Sequence, residues 1–373
     1  MKKTILFLLL FLWFFSAQVF AEENTIDQQM FDTTGQYLEK SVTDEAQEFF
    51  DENDITLEDS TGFTKLSVKE AFKYIFSQIL HSVALPVRLL GMLTAIIMLI
   101  ALTQGLGTAS SAATKTLDIV GVLVCVKVMF DYIASSIELT FKTIEAGSNF
   151  MLTYVPVFAG VVGAGGSVTS ASAYNIGVLF IAEIAVQISA KLLLPMMSVY
   201  FAFAILEAVN PELAFSGFSN GIRKAVQWAL GLIMTIFVGL ITIQSIIGTS
   251  ADTVTIRAAK FAVSSFIPVI GGAISEAYST VKGSLGLLRS GVGTFGIIIL
   301  LLTILPSIIS VTAVKLSVIA ASFVSEIIGT SRITVLLKNT SSVLSIAISL
   351  LACFLLMLII STTIMMLIGL NMG

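Results

Sequence analysis

The chain holds one histidine, His81, and two cysteines, Cys125 and Cys353, so any catalytic reading must be built from very few groups. Two glycine patterns invite one. Gly217-Phe-Ser219-Asn-Gly221 has the spacing of a nucleophile elbow, which needs a strand–turn–helix junction and a histidine base. His81 lies in a separate amphipathic stretch, and the serine segment reads as a polar loop ahead of Arg223, Lys224 and an apolar run. Gly291-Val-Gly293-Thr-Phe-Gly296 has the dinucleotide-binding spacing, but no strand precedes it and no acid follows about 20 residues on. It reads as a loop entering a helix. One histidine and two cysteines inside apolar runs cannot assemble a zinc site, and the cysteines read as small buried hydrophobes. No P-loop occurs, so energy would have to come from another protein. The chain is expected not to be an enzyme, with no catalytic residues, cofactor or metal.

The remaining chemistry lies in charges embedded among apolar residues. Lys127 and Asp131 stand four apart, so on a helix they share a face and can pair. Asp118 lies near the start of the same run, and Glu183 and Lys191 punctuate another. Glu207, Glu276 and Glu326 fall near expected helix ends. A charge at the centre of a bilayer costs about 2.5–3.5 kcal/mol on insertion scales, so such residues face protein or water. Asp118, Lys127, Asp131, Glu183 and Lys191 are therefore the candidate intramembrane residues. They would act either as internal ion pairs that orient helices or as parts of a polar relay.

Positioning these charges requires a membrane. The 373 residues are 56% hydrophobic and 12% charged, against about 25% charged in soluble domains, and the mean hydropathy is +0.98. So few charges cannot cover a water-soluble fold of this length. The formal net charge is −4, yet 14 of the 24 acids lie between positions 22 and 70. That split marks the first boundary, and no basic patch points to nucleic acid.

Residues 1–21 read as a signal peptide: Lys2 and Lys3, an apolar stretch over 4–15, then Val19 and Ala21 at the small positions before a cut at Glu22. An uncleaved anchor is the alternative. Residues 22–66 form an acidic extracytoplasmic segment with too few large apolar residues for a core, carrying a short helix through 37–50. Over 67–86 the spacing of Leu66, Phe72, Ile75, Phe76, Ile79, Leu80 and Val83, with Ser67 and Glu70 in capping-box positions, predicts an amphipathic helix ended by Pro86. It would lie in the membrane interface or on a partner protein.

Residues 87–373 form the transmembrane domain. Apolar runs cover 89–106, 117–133, 150–168, 176–194, 196–209, 228–247, 261–277, 295–314, 316–328 and 343–368. Crossing needs about 20 residues, so the short runs 196–209 and 316–328 are expected to be re-entrant, tilted or paired half-helices, with breaks at Pro195 and Lys315. The fold class is all-α: a polytopic bundle of about eight to ten membrane helices. With the N-terminus outside, Lys115, Arg223, Lys224, Lys282, Arg289, Arg332 and Lys338 fall in cytoplasmic loops, as the positive-inside rule requires. Arg257 and Lys260 fall on the other side. The glycines at 160–166 and 283–296 suit turns and close helix contacts.

Three segments carry a family resemblance: WALGLIMTIFVGL at 228–240, TVTIRAAKF at 253–261 and FIPVIGG at 266–272. In this order they resemble the stage III sporulation protein AE family, and the similarity extends over nearly the whole chain. The resemblance implies a multi-pass protein of the mother-cell membrane around the forespore. It further implies a subunit of a secretion-like transenvelope channel needed for endospore formation. Implied partners are the other proteins of the stage III sporulation A operon and the forespore protein Q, with a YidC-type insertase for assembly. The alternative from another class is a stand-alone secondary transporter, with broken helices meeting at midplane.

Overall fold

Runs of Leu, Ile, Val and Ala carry no groups that could satisfy a bare backbone, so in lipid the chain must close its own hydrogen bonds within each segment. The computed structural model describes residues 42, 44–52, 73–75, 77, 84–105, 111–210, 216–266 and 271–368, and no strand occurs among them. The helices are α1 (Asp44–Glu52), α2 (Ala84–Gly105), α3 (Ser111–Ala164), α4 (Val168–Ile188), α5 (Leu194–Val209), α6 (Ser216–Phe266), α7 (Gly271–Ile328) and α8 (Ser331–Leu367). A π-helical turn, Ser189–Leu193, joins α4 to α5 without a break. Hydroxyls cross the apolar layers by donating to their own helix, as Thr140 does to the Ser136 carbonyl and Thr362 to that of Leu358.

Among the described residues, five helical stretches are long and apolar enough to cross a membrane: Ala84–Gln104, Val168–Val209, Asn220–Thr255, Leu285–Ile328 and Ser331–Leu367. That is fewer than the eight to ten expected, because neighbouring runs fuse. No break occurs at Pro195: the π-helical turn just before it accommodates the proline's missing N–H within a continuous helical segment. None occurs at Lys315, which lies inside the continuous α7. Runs 117–133 and 150–168 likewise belong largely to the single helix α3. Gly291–Gly296 is mid-helix in α7 rather than a loop, and Ser219 lies in the opening turns of α6.

Two turns reverse the chain sharply. Gly166 has φ +90° and Gly329 φ +91°, and each closes the preceding helix with a Schellman-type bond, Ser167 N–H to the Val162 carbonyl and Thr330 N–H to that of Ser325. α7 and α8 form the most extensive pair, and α3 packs along α4, α7 and α8. The core of this contact is aromatic. Tyr154 and Phe150 stack at 5.1 Å, Phe158 and Phe295 flank them, and the Tyr154 hydroxyl donates to the Val292 carbonyl at 3.2 Å.

The signal peptide and most of the expected amphipathic helix lie outside the described residues. Pro86 opens α2 rather than ending a helix. The acidic segment contributes α1, whose Phe49 and Phe50 are buried; Phe50 meets Phe295 of α7 and Phe49 meets Tyr74.

Candidate functional site

On α3, the residues between the two apolar runs continue the helix. Lys127, Asp131, Ser135, Glu138, Lys142, Glu145, Asn149 and Thr153 recur at intervals of three or four and are all exposed. They form one polar stripe along the helix, about 39 Å long at 1.5 Å per residue. The opposite face carries Ser136, Ile137, Thr140, Thr143, Ile144, Gly147 and Ser148, all buried. There Thr143 donates to the Ser307 hydroxyl at 2.7 Å, and Gly147 leaves room for the Phe354 ring. Small residues thus seat α3 on α7 and α8, and that packing turns the stripe outward.

Within the stripe, Lys142 and Glu138 form an ion pair at 2.7 Å with both side chains largely exposed. Lys127 and Asp131 share the face, as their spacing predicts, but no ion pair joins them. Asp131 and Ser135 also border a cavity of about 530 Å³ between α3, the start of α2 and α7, to which Ser136 and Ser310 contribute. Five charges along this line would together cost roughly 10 kcal/mol or more if immersed in hydrocarbon. The stripe therefore faces water or protein.

The other candidate residues stand apart from the stripe and from one another. Asp118 accepts a hydrogen bond from Gln104 of α2 and lies 4.0 Å from Arg332 at the start of α8. Arg332 also donates to the Val209 carbonyl at the end of α5. Nearby, Asn339 donates to Glu207 at 2.9 Å, and Lys338 pairs with Glu326 at 2.8 Å. These contacts tie five helix ends together, those of α2, α3, α5, α7 and α8. Glu183 is exposed and accepts only from Gln187, one turn along α4. Lys191 is exposed in the π-helical turn.

Asp252, which sequence reasoning passed over, and Arg289, which it placed in a loop, are the only buried Asp, Glu, Lys or Arg side chains among the described residues. Both sit at the α3–α4 turn. Asp252 of α6 accepts from the Thr169 N–H at 2.9 Å, the Ser170 N–H at 3.0 Å and the Ser170 hydroxyl at 2.7 Å. It thereby caps α4, whose own N-cap Ser167 makes no capping bond. A carboxylate there matches the positive end of the helix dipole. Arg289 of α7 donates to the Ile368 carbonyl beyond the end of α8 and packs on Gly165 at the end of α3, a cation at two helix C-termini. It was expected in a basic loop with Lys282; it lies instead at the opposite end of α8 from Arg332. The signal for Asp252 was an acid four residues after Gly248, which packs so tightly on α4 that a Cβ would lie 2.8 Å from the Ser170 Cα.

Among the described residues no group of three or more His, Cys, Asp or Glu side chains could hold a metal ion. What the arrangement can do is brace helices at both ends and present one polar line on α3.

A sequence model of the family described as "Stage III sporulation protein AE (spore_III_AE)" matches residues 51–369. The chain is similar to stage III sporulation protein AE of Bacillus subtilis (strain 168), 25% identical over 288 residues, which covers 76% of this chain and 72% of that protein. No solved structure matches the chain.

Proposed function

Since the chain belongs to the stage III sporulation protein AE family, we propose that it is a membrane subunit of the transenvelope channel between mother cell and forespore, with the α3 stripe lining a hydrated path. The observation that carries this is the stripe itself. α3 is not itself among the five apolar stretches but packs along α4, α7 and α8, which are. Five exposed charges on one of its faces would find no stable place in lipid, and a line of about 39 Å suits a bilayer about 40–45 Å thick with its headgroups. The bundle's own interior is filled by Tyr154, Phe158, Phe295 and their neighbours. The path therefore runs along the outer face of α3, where neighbouring subunits meet.

In this reading the protein sits in the mother-cell membrane around the forespore, with the acidic segment in the intermembrane space. Its partners are the other stage III sporulation A-operon proteins and the forespore protein Q, and a YidC-type insertase places it in the membrane. Lys115, Arg332 and Lys338 lie at the end of the bundle away from the α3–α4 turn, which suits a cytoplasmic side there.

The test is a cysteine scan of α3 in sporulating cells. Positions 127, 131, 138, 142 and 145 should react with a membrane-impermeant thiol reagent, while the exposed apolar positions 232, 243 and 247 of α6, away from the stripe, should not. Uniform labelling, or none, would count against a hydrated path. Deletion of the gene should stop sporulation after engulfment with vegetative growth unchanged; normal spores from the deletion strain would overturn the assignment.

A further inference from the structure

A cavity lined almost wholly by apolar side chains lies between α4, α6 and α8, where the proposed path does not run. It measures about 200 Å³ and is walled by Ile184, Ile188, Leu230, Phe237 and Cys353. Its one hydroxyl, Ser189, is turned away to the Ala185 carbonyl at 2.6 Å. Phe180, Ile236 and Leu240, all well exposed, frame a mouth between α4 and α6. A second hollow of about 420 Å³ between α6 and α8 shares Leu230 and Cys353 with the first and reaches Gln227. Walls of this kind hold water poorly, and an empty hollow forfeits the contacts its lining would make.

Charge is arranged at one end of these hollows. Along α4 the lining runs from Phe180 to Ser189, and Lys191 follows two residues later, exposed. Along α6 the lining begins at Gln227 and Leu230, and Arg223 and Lys224 precede it by one to two turns. Because α4 and α6 run antiparallel, these three cations fall at the same end. The Arg223 Nε is buried without a hydrogen-bond partner. Two neighbouring hollows on either side of the Leu230–Cys353 contact, with three cations toward one end, match a molecule with two hydrocarbon tails and one anionic head.

We propose that an anionic phospholipid occupies this site, its acyl chains in the two hollows and its phosphate at Lys191, Arg223 and Lys224. The lipid fills the gap beside α6 and ties that helix to α4 and α8. The inference needs only the membrane location of the chain, so it stands or falls independently of the channel.

The full-length protein in detergent, offered phosphatidylglycerol or phosphatidylcholine, is examined by native mass spectrometry. One phosphatidylglycerol should be retained in preference to phosphatidylcholine. That preference should fall by about fivefold for each of Lys191→Ala, Arg223→Ala and Lys224→Ala. Lys191 and Lys224 are exposed, so their changes leave the apolar packing intact; Arg223, whose Nε is buried, is read beside the melting point of its variant. Ile184→Trp, which fills the first hollow, should reduce retention of both lipids. With Cys125→Ser, phosphatidylglycerol should slow alkylation of Cys353. Equal retention of the two lipids, an unchanged preference in the triple alanine variant, or Cys353 alkylation indifferent to lipid would each overturn the proposal.

Discussion

Replacing Asp252 tests whether a single buried carboxylate holds α4 on α6. In Asp252→Ala the Thr169 and Ser170 N–H groups lose their acceptor, and so does the Ser170 hydroxyl. Loss of a helix cap costs about 1 kcal/mol. The lost attraction between a buried carboxylate and the helix dipole adds up to about 2 kcal/mol, so the total is about 2–3 kcal/mol. Asp252→Asn keeps the shape and one acceptor oxygen but not the charge, so it should keep the cap and lose only the dipole part, up to about 2 kcal/mol. Unfolding is followed on heating in detergent by the reaction of a fluorogenic maleimide with Cys125, a thiol buried in the folded bundle. The alanine variant should melt several degrees below the parent and the asparagine variant between them. Adding Ser170→Ala to Asp252→Ala should cost less than the two single losses combined, because the pair share a hydrogen bond. If Asp252→Ala melted with the parent, or asparagine were as damaging as alanine, the capping argument would be refuted.

Gly296→Ala would drive a methyl group into the Tyr154 ring, which is fully buried among aromatic neighbours and cannot move aside. A loss of about 1–3 kcal/mol is expected, read in the same thermal assay, and an unchanged melting point would show the contact to be slack. Phe49→Ala with Phe50→Ala should release α1 from α7, so that limited proteolysis cuts near residues 44–52 while the bundle stays intact; equal cleavage in parent and variant would argue against docking. Lys142→Ala removes a fully solvated ion pair and should leave melting unchanged while altering spore yield if the stripe lines a path. A lowered melting point with normal spore yield would assign the stripe a structural role instead.

The membrane class and the family were legible because they rest on composition and local pattern. Of the two turn glycines, Gly166 was legible within the group at 160–166 and Gly329 was not singled out; both take up conformations that only a residue without Cβ adopts easily. The polar interval at 134–149 was read as a gap between two spans, because loss of apolar character looks the same for a loop and for a helix with one wet face. The difference lies in the three- and four-residue rhythm of Glu138, Lys142, Glu145 and Asn149, set against buried Thr140, Thr143 and Gly147. That rhythm becomes decisive only once α7 and α8 are known to cover the second face. The same limit hid Arg289, which among lysines and glycines looks like any loop cation until the α8 terminus is brought against it.

Local chemistry determined by itself that this chain is helical and lives in lipid, since hydropathy and backbone hydrogen bonding are properties of a segment and its solvent. Which charges are buried, which helix faces stay open, and how many runs merge into one helix were decided only in three dimensions. Those outcomes depend on contacts between residues far apart in the chain, such as Thr143 with Ser307 and Asp252 with Ser170, and no local pattern encodes the partner.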